Sequence, residues 1–161
     1  MTAKPMANTS EPSGAKERLR LWLKLLKTSR SIEDQLRRRL RNELGSTLPR
    51  FDVMSALDRA PDGLKMSEIS KRLRVSNGNI TGIVDKLTEE GLVLRVAVPG
   101  DRRANLVRLT SKGRDVFADH ARAHEAWINQ IMGGLGEGEA HALVTQLSHL
   151  AETLERQDDA D

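Results

Sequence analysis

One helix in this chain has both of its ends written into the sequence, and that helix limits what can surround it. Ser76 is a good N-cap, because its hydroxyl accepts from a first-turn backbone N–H that has no helical partner. Ile80, Ile83, Val84 and Leu87 recur at the i, i+3, i+4, i+7 spacing, which predicts one buried stripe, and Gly91 stands where a left-handed residue would close the helix. The opposite face carries Asn77, Asn79, Thr81 and Lys86, short polar groups near the start and one cation further along. It is suited either to solvent or to a polar partner.

The flanking residues narrow the choice. Upstream, Ser67 is expected to cap a shorter helix with Glu68 in its first turn, Ile69 and Leu73 inward and Arg72 and Arg74 outward. Downstream, Leu92 to Val98 and Asn105 to Leu109 are β-branched-rich runs of strand length, separated by the turn signal Pro99-Gly100-Asp101. Two short helices followed by a hairpin is the order of a winged helix-turn-helix. In such a lobe the second helix presents its N-terminal residues to the major groove, where Asn pairs with adenine and Thr meets the thymine methyl. Arginines at a hairpin tip, here Arg102 and Arg103, are drawn to the negative minor groove. Asp101 is read as a brace for Arg103. The plainer reading leaves a solvated helix face and an exposed hairpin with incidental arginines.

Glycine- and proline-free helical periodicity also runs from Ala15 to Leu44, a span of roughly 40 Å at about 1.5 Å per residue. Its stripe is Leu19, Trp22, Leu23, Leu26, Ile32, Leu36 and Leu40, and between Leu19 and Leu26 it is apolar on nearly every side, which a lone surface helix would not tolerate. A second helix is expected from Leu48 to Ala60 with Phe51, Met54, Ala56 and Leu57 inward. Pro61-Asp62-Gly63 is a turn, and Leu64 to Met66 a short strand pairing with the hairpin. After the wing, Ser111 is expected to cap a helix to about Met132, and another runs from about Glu137 to Arg156 with Ala140, Leu143, Val144, Leu147, Leu150, Ala151 and Leu154 along one side.

These long stripes exceed what one small domain covers, so dimerisation is expected, and intertwined helices in obligate dimers bury above about 2,000 Å². The fold class is mainly α with a small β-hairpin wing: a winged helix-turn-helix lobe over residues 46–110, and a helical dimerisation region over 15–45 and 111–156. The basic run Arg37 to Arg41 stays open between a solvated face, a DNA-backbone contact and a clamp for an anionic ligand.

Composition sets the outer bounds. At 161 residues the chain supports one sizeable core, and with 2% aromatic residues and no Tyr that core is mostly aliphatic. A formal charge of +3 and a pI near 9.5 permit a nucleic-acid partner without demanding one. With no cysteine, disulfides, thiol redox sensing, thiolate metal sites and a cysteine nucleophile are excluded. No apolar run has the length of a membrane span and no secretion signal is evident, so a cytoplasmic protein is expected. Residues 1–14, rich in Pro, Ser, Thr and Asn, and the acidic residues 157–161 are expected to be disordered tails.

The runs VSNGNITGIVDKLTEEGLV and PGDRRANLVRLTSKG resemble the MarR family of bacterial transcription regulators, the DRR tip followed by LTSKG being the most specific part. The resemblance extends from about Lys16 to Glu155. One departure is Gly82, where many relatives carry a bulkier polar residue. The resemblance implies a homodimer on double-stranded, pseudo-palindromic operator DNA, with Ser67, Arg72, Arg74, Ser76, Asn77, Asn79, Thr81, Lys86, Arg102 and Arg103 at the DNA and Asp101 in the same set as the brace for Arg103, acting most often as a repressor that a small ligand releases. It also implies a ligand corner where the first and fifth helices meet the lobe. Here that corner would hold Trp22, Leu26, Arg30, Phe51, Met54, His124 and Trp127, rings and cations suited to an aromatic acid; plain dimer core is the alternative. The stretches RLWLKLLKTSRSIEDQLRRRL and LPRFDVMSALDRAPDGLKMSEISKRL look like a subgroup tied to aromatic and hydroxycinnamate breakdown, which adds an aromatic coenzyme A thioester as a candidate effector.

No cofactor and no catalysis are expected. The chain has no phosphate-cradling loop, no nucleophile beside a base and no paired carboxylates in an apolar setting. His120 and His124, four apart on one helix, have metal-ligand spacing but no evident third ligand. The competing function class is a constitutive architectural or partner-binding protein that uses the same lobe without an effector.

Overall fold

The computed structural model describes residues 13–160, apart from the side chains of residues 102–104. The backbone divides into two compact units, residues 1–48 and 49–161. The first is essentially α1 (Ala15–Leu44), whose limits are those expected. Gly45 ends it at φ 56, and the backbone N–H groups of Gly45 and Ser46 both donate to the Leu40 carbonyl, satisfying an end that would otherwise be open. Leu36 and Leu40 are buried, whereas Leu19, Leu21, Trp22 and Leu23 are exposed. In the basic run, Arg37 pairs with Glu33 and Asp34 on the preceding turn.

The second unit begins with α2 (Leu48–Asp58), which buries Phe51, Val53, Met54 and Leu57. It stops two residues short of the expected Ala60, because the Ala60 N–H donates to Leu57 and the Gly63 N–H to Ala60, tightening the chain into a turn. Gly63 is the residue this turn requires. Its φ is 99, and an added Cβ would lie 3.1 Å from both Leu106 Cβ and the Val107 carbonyl.

β1 (Leu64–Lys65) follows, and α3 (Met66–Leu73) starts immediately after it. Ser67 is therefore not the cap that was expected. Lys65, in extended conformation, holds the N-cap position, and its N–H donates to the Glu68 carboxylate at 2.7 Å; Ser67 lies one residue inside the first turn. The chain continues through α4 (Asn77–Glu89), β2 (Val93–Val98), β3 (Asp101–Leu109), α5 (Ser111–Ile131) and α6 (Glu137–Asp158). The last helix runs past Arg156, so residues 157 and 158, expected in a tail, are helical. Residues 1–12 and 161 lie outside the described residues.

The sheet has three antiparallel strands in the order β1-β3-β2, with Leu64 opposite Val107 and Val93 opposite Leu109. β3 begins at Asp101 rather than Asn105. Ala97 pairs with Asn105 but Val98 pairs with Asp101, so three residues of β3, 102–104, stand outside the pairing as a bulge beside the Pro99-Gly100 turn. Bulges at sheet rims bend the strand and increase its twist.

A junction behind the wing explains the LTSKG run. The Thr110 hydroxyl donates to the Gly91 carbonyl at 2.7 Å and accepts from the Gly113 N–H at 2.9 Å, while the Thr110 N–H donates to Leu92 O at 3.0 Å. Thr110, not the expected Ser111, thus caps α5, because only Thr110 is still extended where the helix begins. Gly113 is buried against the same backbone, and a Cβ there would fall 1.9 Å from Leu92 O.

Candidate nucleic-acid interface

α4 forms as its sequence requires. Ser76 Oγ accepts from the Asn79 N–H at 3.4 Å, the Ser76 carbonyl accepts from Ile80, and Gly91 follows the last turn at φ 74. Ile80, Val84 and Leu87 are buried and Ile83 is half-buried, so the stripe faces the interior of its unit. This leaves Ser76, Asn77, Asn79, Thr81 and Lys86 exposed together. Thr81 Oγ1 donates to Asn77 O at 2.9 Å, which commits its proton to the helix and leaves its methyl and lone pairs for a partner. Gly78 and Gly82 are exposed on the same helix, with nothing within 4 Å of an added Cβ.

Around α4 the expected contact residues fall as follows. Ser67, Arg72 and Arg74 are exposed on and just after α3. Arg74 is the only non-glycine among the described residues with positive φ, at 53, a conformation that costs an L-residue about 1–2 kcal/mol and that glycine would adopt freely. Asp101 is exposed at the start of β3. The side chains of Arg102 and Arg103, and with them the expected Asp101–Arg103 brace, lie outside the described residues.

Three groups that sequence reasoning passed over tie α4 in place. Asp85 Oδ1 accepts from Arg95 Nη2 of β2 at 2.5 Å. Glu90, immediately after the helix, is held bidentately by Arg50 of α2, through Nη1 at 3.0 Å and a shorter bond from Nη2. That bond holds the Glu90 carboxyl below its ordinary value, against the opposing effect of partial burial. Lys112 Nζ donates to the Glu90 carbonyl at 3.0 Å. The partners in these three contacts are 10, 40 and 22 residues apart, beyond any helical or strand period.

The residues expected at a ligand corner divide between the two units. In the second, Phe51, Met54 and Trp127 are buried, His124 is half-buried and its ring stacks on Phe51 at 4.6 Å, and Phe51 also meets Phe117 at 5.5 Å. In the first, Trp22 and Arg30 are exposed and Leu26 is half-buried. Burial lowers the pKa of His124; at His120 burial does so first and the Arg50 guanidinium adds to it, with Asp119 opposing. His120 Nδ1 is buried without a hydrogen-bond partner among the described residues. No group of three or more His, Asp or Glu able to hold a metal occurs among the described residues, nor any helix long and apolar enough to cross a membrane.

This arrangement has relatives. Residues 44–104, which include α2, α3, α4, β2 and the start of β3, match the sequence profile of the MarR family. The transcriptional regulator MhqR of Bacillus subtilis is 30% identical over 136 residues, covering 82% of this chain and 90% of that protein. The chain belongs to the MarR family. As a MarR-type protein it is a DNA-binding transcription regulator and not an enzyme, and regulators of this kind need no cofactor. The transcriptional activatory protein BadR of Rhodopseudomonas palustris is 27% identical over 99% of this chain and 93% of its own length. FabT of Streptococcus pneumoniae, whose structure was solved in complex with DNA, superposes with a TM-score of 0.69 at 26% identity, covering 87% of this chain and 99% of that one. The MarR fold thus places the two-helix unit and its β wing where the sequence pattern anticipated them.

Proposed function

We propose that this chain is a cytoplasmic homodimer that recognises a pseudo-palindromic operator through α4 and its wing and represses transcription until a small aromatic ligand, an aromatic acid or its coenzyme A thioester, releases it. The observation that carries the reading is the face of α4, where Asn77, Asn79, Thr81 and Lys86 stay exposed while the opposite stripe is buried. Asn77, Asn79 and Thr81 are assigned to base edges. Ser67, Arg72, Arg74, Ser76 and Lys86 are assigned to the sugar-phosphate backbone, and Asp101, Arg102 and Arg103 to the wing contact. The strained conformation of Arg74 supports its place in that set, since such strain concentrates at functional positions.

Dimerisation is supported by Leu143, Val144, Leu147, Leu150 and Leu154 of α6, all exposed, on a helix with no buried residue. Two-fold symmetry would then set two α4 helices about one turn of B-DNA apart. The ligand reading is supported within the second unit by the stacked Phe51 and His124 rings; Trp22, Leu26, Arg30, Met54 and Trp127 are assigned to it from the sequence pattern alone. The dimerisation region is assigned to residues 15–45 and 111–156.

Operator recognition is tested by measuring affinity at fixed salt for a duplex that the protein selects from a random pool and for its scrambled counterpart. A specific regulator loses orders of magnitude on the scrambled duplex, whereas an architectural protein shows mainly a steep salt slope. Titration with free aromatic acids and with their thioesters, following tryptophan fluorescence and operator binding, tests the effector; silence of both signals for both classes removes the ligand reading. The name of BadR makes the direction of control a separate measurement, transcription from the operator with and without the protein.

A further inference from the structure

A helix offered to a polyanion has reason to avoid carboxylates, yet α4 carries Asp85, and Glu89 one turn on, on the face it offers. Asp85 follows Thr81 by four residues and Asn77 by eight, so it shares their side of the helix. It is exposed, and its carboxylate is held by Arg95 from the middle of β2, opposite Val107 of the central strand. At the far end of the helix Glu90 is held bidentately by Arg50 of α2, whose side chain is only 20% exposed. The helix is therefore tied at its middle to the wing sheet and at its end to α2, each time by an acid of the helix region and an arginine from elsewhere. Exposed pairs of this kind contribute little to folding stability. What they restrict is orientation: an arginine and a carboxylate in direct contact leave the helix little freedom to roll or slide against the element that carries the arginine.

We infer that Asp85–Arg95 and Arg50–Glu90 are positioning pairs that hold the pitch of α4, the first relative to the wing and the second relative to α2, so that helix and wing enter adjacent grooves together. The inference rests on operator recognition by α4 as proposed above. The electrostatics give it a sharp sign. Replacing Asp85 with Asn removes a negative charge beside DNA, so if the carboxylate were only a surface charge, binding to every duplex would tighten. If it positions the helix, operator binding weakens although the repulsion is gone.

The test compares wild type, Asp85→Asn, Arg95→Met, the swapped pair Asp85→Arg with Arg95→Asp, and Glu90→Gln, by fluorescence anisotropy on the selected operator and its scrambled counterpart at fixed salt, with thermal unfolding of each. Asp85→Asn is expected to lower operator affinity by about three- to tenfold without weakening scrambled binding, and Glu90→Gln to lower the operator-to-scrambled ratio likewise. The swapped pair is expected to restore that ratio to within about threefold of wild type, with midpoints shifted by no more than about 2 °C. Operator affinity at or above wild type in Asp85→Asn overturns the inference. So does a swap that fails to rescue the ratio while preference changes at one base pair, since Asp85 would then be reading a cytosine amine directly. A wild type that does not distinguish the two duplexes overturns operator recognition itself and this inference with it, a result separable from the others because it appears before any substitution.

Discussion

α4 and α6 begin from the same kind of pattern and end in opposite surroundings. Each has apolar residues on one side at helical spacing, Ile80, Ile83, Val84 and Leu87 in one and Leu143, Leu147, Leu150 and Leu154 in the other. In α4 the stripe is covered, with Ile80, Val84 and Leu87 fully buried. In α6 no residue is buried, and Val144 is 62% exposed. An apolar stripe states that a helix needs cover; it does not state what supplies it. α4 is covered within its own unit, beside a sheet and between tight turns, whereas its own unit leaves the α6 stripe uncovered, and a second copy of the chain is proposed to cover it.

The comparison is broken or sharpened by substitutions on either side of it. The largest effect is expected behind α4, at Gly113→Ala, where the new methyl would meet the Leu92 carbonyl at 1.9 Å and backbone must move. A loss of roughly 3 kcal/mol in chemical denaturation is expected, the upper end for overpacking, and an unchanged midpoint would show that the Thr110–Gly113 junction is not a tight contact. On the other helix, Leu147→Ala should cost about 2 kcal/mol if a second copy buries it, with a denaturation midpoint that falls on dilution and a sedimentation profile shifted toward the monomer. The same substitution should cost almost nothing if α6 stays exposed. Ile80→Val in the covered stripe should cost about 1 kcal/mol at every protein concentration.

Acidification reaches the covered side as well. His120 and His124 have pKa values below the ordinary imidazole value in the folded protein, so the unfolded chain binds protons first as pH falls. The stability they contribute is complete above about pH 6.5 and declines as pH drops from there through their lowered folded values. Replacing both with Gln should flatten that decline in denaturation midpoints measured across the window. Glu90 acts at lower pH with its own sign: its carboxyl is depressed, so its contribution is present above the ordinary carboxylate value and is lost as pH falls through the folded one. The smallest effect belongs to a pair that touches neither side of the comparison. Arg122 and Asp119 are both largely exposed and one turn apart, so Arg122→Ala should change stability by no more than about 0.5 kcal/mol.

Much of the fold and of the interface was legible because its causes are local. The limits of α1, the Ser76 cap, the Gly91 and Gly45 ends and the turn at Gly63 all follow from one residue and its nearest neighbours. The errors at Ser67 and Ser111 have one origin: in each case a good capping side chain stood just past the residue that still held extended backbone, two residues on at Ser67 and one at Ser111, and the strand preceding it decided where the cap fell. The first strand residue of β3 was also misplaced, because Arg102, Arg103 and Ala104 form a bulge that no alternation of apolar and polar residues announces.

By itself, then, the sequence determined the order of helices and strands, though not all of their ends, which side of each is apolar, and that α4 offers amides, a hydroxyl and a cation on its open face. These properties depend on contacts within about one turn of chain, where period and capping chemistry are visible. Tertiary structure alone decided which stripes find cover inside the chain, that Arg50 reaches across 40 residues to Glu90, that Arg95 holds Asp85, and that Gly113 must lack a side chain. Those outcomes depend on which backbone passes beside which, and long-range approach leaves no periodic mark on the residues that make it.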